Sequence, residues 1–186
     1  MSPLFQRLFT RGAAPPPHRR VYAEIVAQAR QEALYTALEV PDTLEGRYEM
    51  VMLHAFLLME RLKQGGEEES ALAQAVFDDM FMDMDHNLRE IGIADVRVGK
   101  HIRRMAEMFY GRVEAYGEAL KEPEEARALE RLQAALARNV HPGSEDPHPV
   151  GGLARYVLRQ RHALAEQPLA AILDGKAGFA AEVELS

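Results

Sequence analysis

The chain contains no cysteine. That absence excludes disulfides, thiolate metal sites and cysteine nucleophiles, and it fits a reducing compartment. Valine, isoleucine and threonine are sparse beside alanine, leucine, glutamate, arginine and methionine, a balance that favours helix over strand. Long hydrophobic runs are missing too. The longest strongly apolar stretch, 50–59, is interrupted by His54 and falls short of the roughly 20 apolar residues that span a bilayer. No secretory signal is visible. A net charge of −7 argues against generic binding to a phosphate backbone, although a local basic patch can override the average. There is no nucleophile elbow, phosphate-cradling glycine loop or paired acid–base motif. The expectation is therefore a protein that is not an enzyme, with no catalytic residue and no cofactor.

What is present is the composition of a soluble globular protein. With 186 residues, 47% hydrophobic and 27% charged, the chain fits one domain and can bury a sizeable core. Apolar periodicity predicts helices over 19–39, 44–63, 70–91, 96–120, 123–138 and 153–166. The 44–63 helix is apolar around nearly its full circumference and should be the central one. Asp42 or Thr43 can cap it, and Gly65 and Gly66 stand where a C-terminal glycine cap belongs. Glu67, Glu68 and Glu69 suit the positive end of the next helix. That helix carries a ridge of Leu72, Val76, Met80, Met84 and Leu88. Gly92 should close it in a left-handed conformation. Pro123 is placed in the first turn of the fifth helix.

The expected fold is all-α, a single helical-bundle-like domain of about five to six helices with a looser N-terminal segment and C-terminal tail. Residues 1–17 form an amphipathic segment and proline-rich linker. Arg7, Arg11, Arg19 and Arg20 near this end suggest a presequence, but only Ser2 and Thr10 are hydroxylic there. Residues 18–140 are the helical body, and 141–186 a Pro/Gly-rich loop followed by a helical tail.

Several polar clusters carry competing readings. Asp83, Asp85 and His86, with His54, suggest a helical-bundle metal site or enzyme. A di-metal bundle, however, needs two Glu-x-x-His pairs, and the pair with that spacing, Glu145 and His148, lies in the loop. The plainer reading is a solvated acidic face. His54 in its apolar surroundings reads as a core residue satisfied by a polar neighbour, and Glu49 as a buried acid with Arg47 nearby. Gly111 and Gly117 on a helix read as sites of close packing. Lys100, Arg103 and Arg104 concentrate positive charge on one side of their helix. They either pair with the acids of the preceding helix or form a patch for an acidic partner, ribosomal RNA or anionic lipid. The nine methionines are either core filling or an adaptable apolar surface.

The stretch 47–120 also resembles a family. Arg47 and Glu49 are followed by Leu53 and His54, Arg61 and Leu62, Phe77 and Asp78, then Asp83, Met84 and Asp85. Leu88, Arg89 and Glu90 follow, then Gly92, Asp95, Val98, Lys100 and Met105. The pattern ends in Phe109, Tyr110, Gly111, Arg112 and Tyr116. This order resembles the ubiquinol–cytochrome c chaperones. The resemblance implies a helical assembly chaperone that binds newly made cytochrome b and promotes assembly of respiratory complex III. Candidate partner-binding residues are Asp83, Asp85, Arg89, Lys100, Arg103, Arg104 and Arg112, and candidate motif or structural residues are Arg47, Glu49, His54, Gly92, Asp95, Phe109, Tyr110 and Gly111. Further expected partners are a ribosome or anionic membrane surface, and a small partner protein or a second copy. The expected location is cytoplasmic, peripheral to the inner membrane.

Overall fold

The computed structural model describes residues 14–93, 95–143 and 150–180, without the side chains of Asp95 and Val96. The amphipathic segment expected at the N-terminus and the Glu145 and His148 pair lie outside the described residues.

The elements are helices α1 (Pro17–Ala29), α2 (Glu32–Thr36), α3 (Leu44–Leu62), α4 (Glu67–Glu90), α5 (Asp95–Leu120), α6 (Glu125–Val140), α7 (Gly151–Glu166) and α8 (Leu169–Leu173). Helix α3 touches α1, α4, α5, α6 and α7. Its unbroken run of buried side chains from Met52 to Leu58 explains why: a helix apolar all round can satisfy itself only by being surrounded. Helix α7, beyond the Pro/Gly-rich loop, joins the same core. Leu153, Ala154, Tyr156 and Val157 are fully buried, and α7 packs on α3 and α6. Arg61 ties the two helices, its Nε donating to Leu164 O at 2.9 Å and its Nη2 to Gln167 O at 2.9 Å. These carbonyls at the end of α7 have no partner within their own helix, so the guanidinium completes them.

The first long helix is broken. Instead of running through 19–39, the chain leaves α1 at Arg30, extends at Gln31 (ψ 128) and restarts as α2. A straight helix would carry Leu34 and Leu38 away from the core stripe of Val21, Ile25 and Ala29. The break turns both inward, with Leu34 fully buried and Leu38 nearly so. Tyr35 Oη donates to the freed Ala29 carbonyl at 2.7 Å. Glu39 then takes a left-handed conformation (φ 58) before Val40 re-enters the core.

Other boundaries follow from identifiable caps. Thr43, rather than Asp42, caps α3, its Oγ1 accepting from Gly46 N–H at 3.1 Å. Gly46 is required there because a Cβ would run into the Pro41 carbonyl. Gly65 and Gly66 are not a left-handed stop for α3, since neither is among the positive-φ glycines. Gly66 instead begins α4, its N–H donating to the Glu69 carboxylate at 2.7 Å. Pro123 sits just before α6 rather than in it, because Glu124 is the N-cap and the helix runs on to Val140.

Gly92 has φ +87, with Gly92 N–H donating to Arg89 O and Ile93 N–H to Leu88 O, both at 3.0 Å. The second bond is the wide closure that ends a helix through a left-handed residue. A Cβ at this position would meet nothing within 4 Å, so substitution is penalised by backbone conformation alone. Gly92→Ala is expected to lower the unfolding free energy by about 1–2 kcal/mol in urea titrations, and Gly92→Val by more. Gly92→Asn should fall between glycine and alanine, since asparagine tolerates this region. Equal midpoints for the alanine and wild-type proteins would overturn the assignment.

Candidate functional site

Four helices, α3, α4, α5 and α6, enclose an apolar groove of about 580 Å³. The start of α3 supplies Leu44, Tyr48 and Met52; the end of α4 and its turn supply Leu88, Ile91 and Ile93. Helix α5 presents His101, Arg104, Met105, Met108 and Arg112, whose spacings of three and four put them on one face. The end of α6 closes the wall with Arg138, Asn139 and Val140. Leu44 and Ile91 are exposed at the opening, Ile91 by 55%. Exposed aliphatic side chains beside an open apolar groove make it the candidate interaction surface.

The groove floor holds a buried ion pair. Arg112 Nε lies 2.5 Å from Glu49 Oε1, and the two side chains are 9% and 5% exposed. Arg112 Nη1 also donates to Met108 O at 2.9 Å, and Tyr116 Oη donates to the same Glu49 oxygen at 3.3 Å. Asn139 Nδ2 in turn donates to Tyr116 Oη at 3.1 Å. Burial pushes the Glu49 carboxyl up, while the guanidinium and the tyrosine hydroxyl pull it back down. Burial also raises Tyr116, with the Glu49 charge adding to it. This network joins α3, α5 and α6 beneath the groove. Glu49 is thus a buried paired acid as expected, but its partner is Arg112. Arg47 instead makes an exposed ion pair with Asp42 at 2.6 Å.

A second buried network lies elsewhere. His54 Nδ1 donates to Met50 O at 2.7 Å, which leaves Nε2 to accept from Tyr156 Oη at 2.6 Å. Gln28 Nε2 donates to Tyr156 Oη at 3.0 Å, so the hydroxyl is satisfied on both sides. Burial pushes the His54 imidazole down to about 4, with its bond to the Met50 carbonyl working in the other direction. His54 is the satisfied core histidine anticipated from its neighbours.

The acidic residues are spread among separate tasks. Asp83 accepts from Tyr22 Oη at 2.9 Å and Asp79 meets His18 Nδ1 at 2.6 Å, both facing α1. Asp85 pairs with Arg89 at 2.7 Å, and His86 with Glu90 at 3.2 Å, each along α4 itself. Among the described residues no group of three or more His, Cys, Asp and Glu side chains could hold a metal ion. The structure therefore does not bring Asp83, Asp85, His86 and His54 together.

Lys100, Arg103 and Arg104 are exposed, and among the described residues no ion pair links them to the α4 acids. Arg104 faces the groove, whereas Lys100 and Arg103 lie outside its wall. Arg112, expected to meet a partner, is committed to Glu49. Phe109 is buried, with its ring 5.7 Å from that of Phe77, and the neighbouring Tyr110 is 60% exposed. Gly111 and Gly117 do not mark close packing, since a Cβ on either meets nothing within 4 Å. Asp95 begins α5.

The described elements define a class, an all-α protein built on one central helix with an open apolar groove at one end. The chain belongs to the ubiquinol–cytochrome C chaperone family, whose model matches residues 36–180. The match reaches well beyond 47–120 and takes in the Pro/Gly-rich loop and α7. The chain is 26% identical over 142 residues to ubiquinol-cytochrome-c reductase complex assembly factor 1 of Xenopus laevis, covering 76% of this chain and 68% of that protein. The assembly factor of the same name from Mus musculus is 25% identical over 146 residues, with coverages of 78% and 48%. The chain thus spans about half the length of that mouse relative. A crystal structure of the Cbp3 homolog from Brucella abortus is similar at 44% identity and a TM-score of 0.78, covering 89% of each chain.

Proposed function

We propose that this protein is an assembly chaperone that binds newly made cytochrome b and promotes assembly of ubiquinol–cytochrome c reductase, respiratory complex III. The observation that carries the reading is the apolar groove, in a chain that belongs to this family. Newly made transmembrane segments expose apolar surface that must be shielded until they pack. The groove offers Met52, Met105 and Met108, whose unbranched side chains adapt to varied hydrophobic shapes. Among the described residues no helix is long and apolar enough to cross a membrane. A chaperone of membrane-inserted clients works at the membrane surface, and there the exposed Lys100 and Arg103 are available to an anionic partner. Nothing favours the metal-binding alternative, whose residues are engaged in separate contacts.

Deleting the gene is expected to remove cytochrome b protein while leaving its transcript intact. Difference spectra of membranes should lose the b-type haem signal of complex III. Tagged protein purified from native membranes should bring cytochrome b with it. Normal b-haem spectra in the deletion strain would sink this reading.

A further inference from the structure

The groove is apolar inside and positively charged at its opening, on a chain whose net charge is −7. Of its acids, Glu49 is already neutralised by Arg112, and only the exposed Glu45 on α3 stands against the remaining cations. Arg104 and Arg138 remain. Both are exposed, both line the opening, and neither makes an ion pair among the described residues. They come from different helices, α5 and α6, which pack against each other. His101 stands one turn before Arg104 on the same wall. An apolar trough with free guanidinium groups at its lip is complementary to an apolar segment that carries a carboxylate next to its hydrophobic residues.

We propose that the groove selects the end of a hydrophobic helix by a flanking acidic side chain, which Arg104 and Arg138 hold while the apolar residues enter among Met105, Met108 and Ile91. This deepens the chaperone reading and rests on it. Size supports the choice of a helix end. A spanning helix of about 20 residues is some 30 Å long. A groove of about 580 Å³ is in the range that takes a small ligand, and so it takes a few side chains rather than a whole span. Arginine suits the task because its planar fork can meet both carboxylate oxygens at once.

The test uses the full chain and dye-labelled Leu/Ala-rich peptides ending in paired glutamates, glutamines or lysines, read by fluorescence anisotropy. The glutamate peptide should bind about tenfold tighter than the glutamine peptide, in line with one hydrogen bond to a charged group. That advantage should vanish in Arg104→Gln/Arg138→Gln and shrink at high salt. Met105→Asp, inside the groove, should weaken all three peptides, and circular dichroism verifies that the variants fold. Equal binding of the glutamate and glutamine peptides, with both weakened by Met105→Asp, overturns the carboxylate claim and leaves the groove as an apolar site. Peptide binding that Met105→Asp does not alter overturns the groove reading as well. A concentration-dependent dimer in light scattering that Met105→Asp abolishes would show a second copy as the occupant, and would overturn the proposal.

Discussion

Arg112→Ala should destabilise the protein by about 3–5 kcal/mol, the loss expected when one member of a buried ion pair is removed. The cost comes less from the missing attraction than from what stays behind. Glu49 would remain nearly covered by protein, with only Tyr116 Oη at 3.3 Å to stabilise its charge. The effect should also depend on pH in a defined direction. Burial already raises the Glu49 carboxyl, and the guanidinium opposes that rise. Without Arg112 the folded protein would hold a proton on Glu49 to a higher pH than the unfolded chain does. The contribution of Glu49 to the variant's stability is then fullest at low pH and is lost as pH rises through the raised folded value. Urea titrations of wild type and variant should therefore diverge most at high pH. Replacing both residues, as in Glu49→Leu/Arg112→Leu, should cost less than the sum of the single changes, because no charge is stranded. A loss below about 1 kcal/mol, typical of an exposed pair, would show that the network does not bear on stability.

Local periodicity made most of the helices readable. The ridge from Leu72 to Leu88, repeating every fourth residue, faces the core throughout, and Gly92 ends its helix as its backbone freedom suggests. What periodicity could not supply was the break at Arg30 and Gln31. No proline or glycine marks it, and it exists because Leu34 and Leu38 are drawn into a core assembled from distant helices. Such tertiary pull is invisible to a window of local residues. The glycines at 65 and 66 misled for a related reason. A glycine pair between helices serves either neighbour, and the Glu69 carboxylate assigns Gly66 to the second one.

The site was partly legible. Arg112 lies between Phe109 and Tyr116 on the apolar stripe of α5, and Glu49 borders the buried run of α3. A cation and an acid, each on an apolar face, are the two halves of a buried pair. Their separation of 63 residues hid the match, whereas Arg47 stood close by and drew the assignment. Arg138 lines the groove only because α6 ends beside α5 there, and nothing in its own segment sets it apart. Tyr156 was equally hidden, being 102 residues from the histidine it satisfies.

That distant contact leads to the second large effect, an acid sensitivity centred on His54. In the folded protein the imidazole is pushed down to about 4, against 6.5 for the free side chain. Between these values the unfolded chain binds a proton that the folded chain refuses. Stability is therefore complete above about pH 6.5 and is lost progressively as pH falls toward 4, by at most roughly 3 kcal/mol from this group. Protonation would also place a donor on Nε2, where it now accepts from Tyr156 Oη, so the hydroxyl would have to turn away. His54→Gln keeps a polar side chain near Tyr156 but removes the titration. Its stability at pH 7 should fall, while its slope between about pH 6.5 and 5 should flatten relative to wild type. Direct observation is available by following the His54 ring resonances through an acid titration. A midpoint near 6.5 would mean that the ring is hydrated in solution and that the buried His54–Tyr156 contact does not persist.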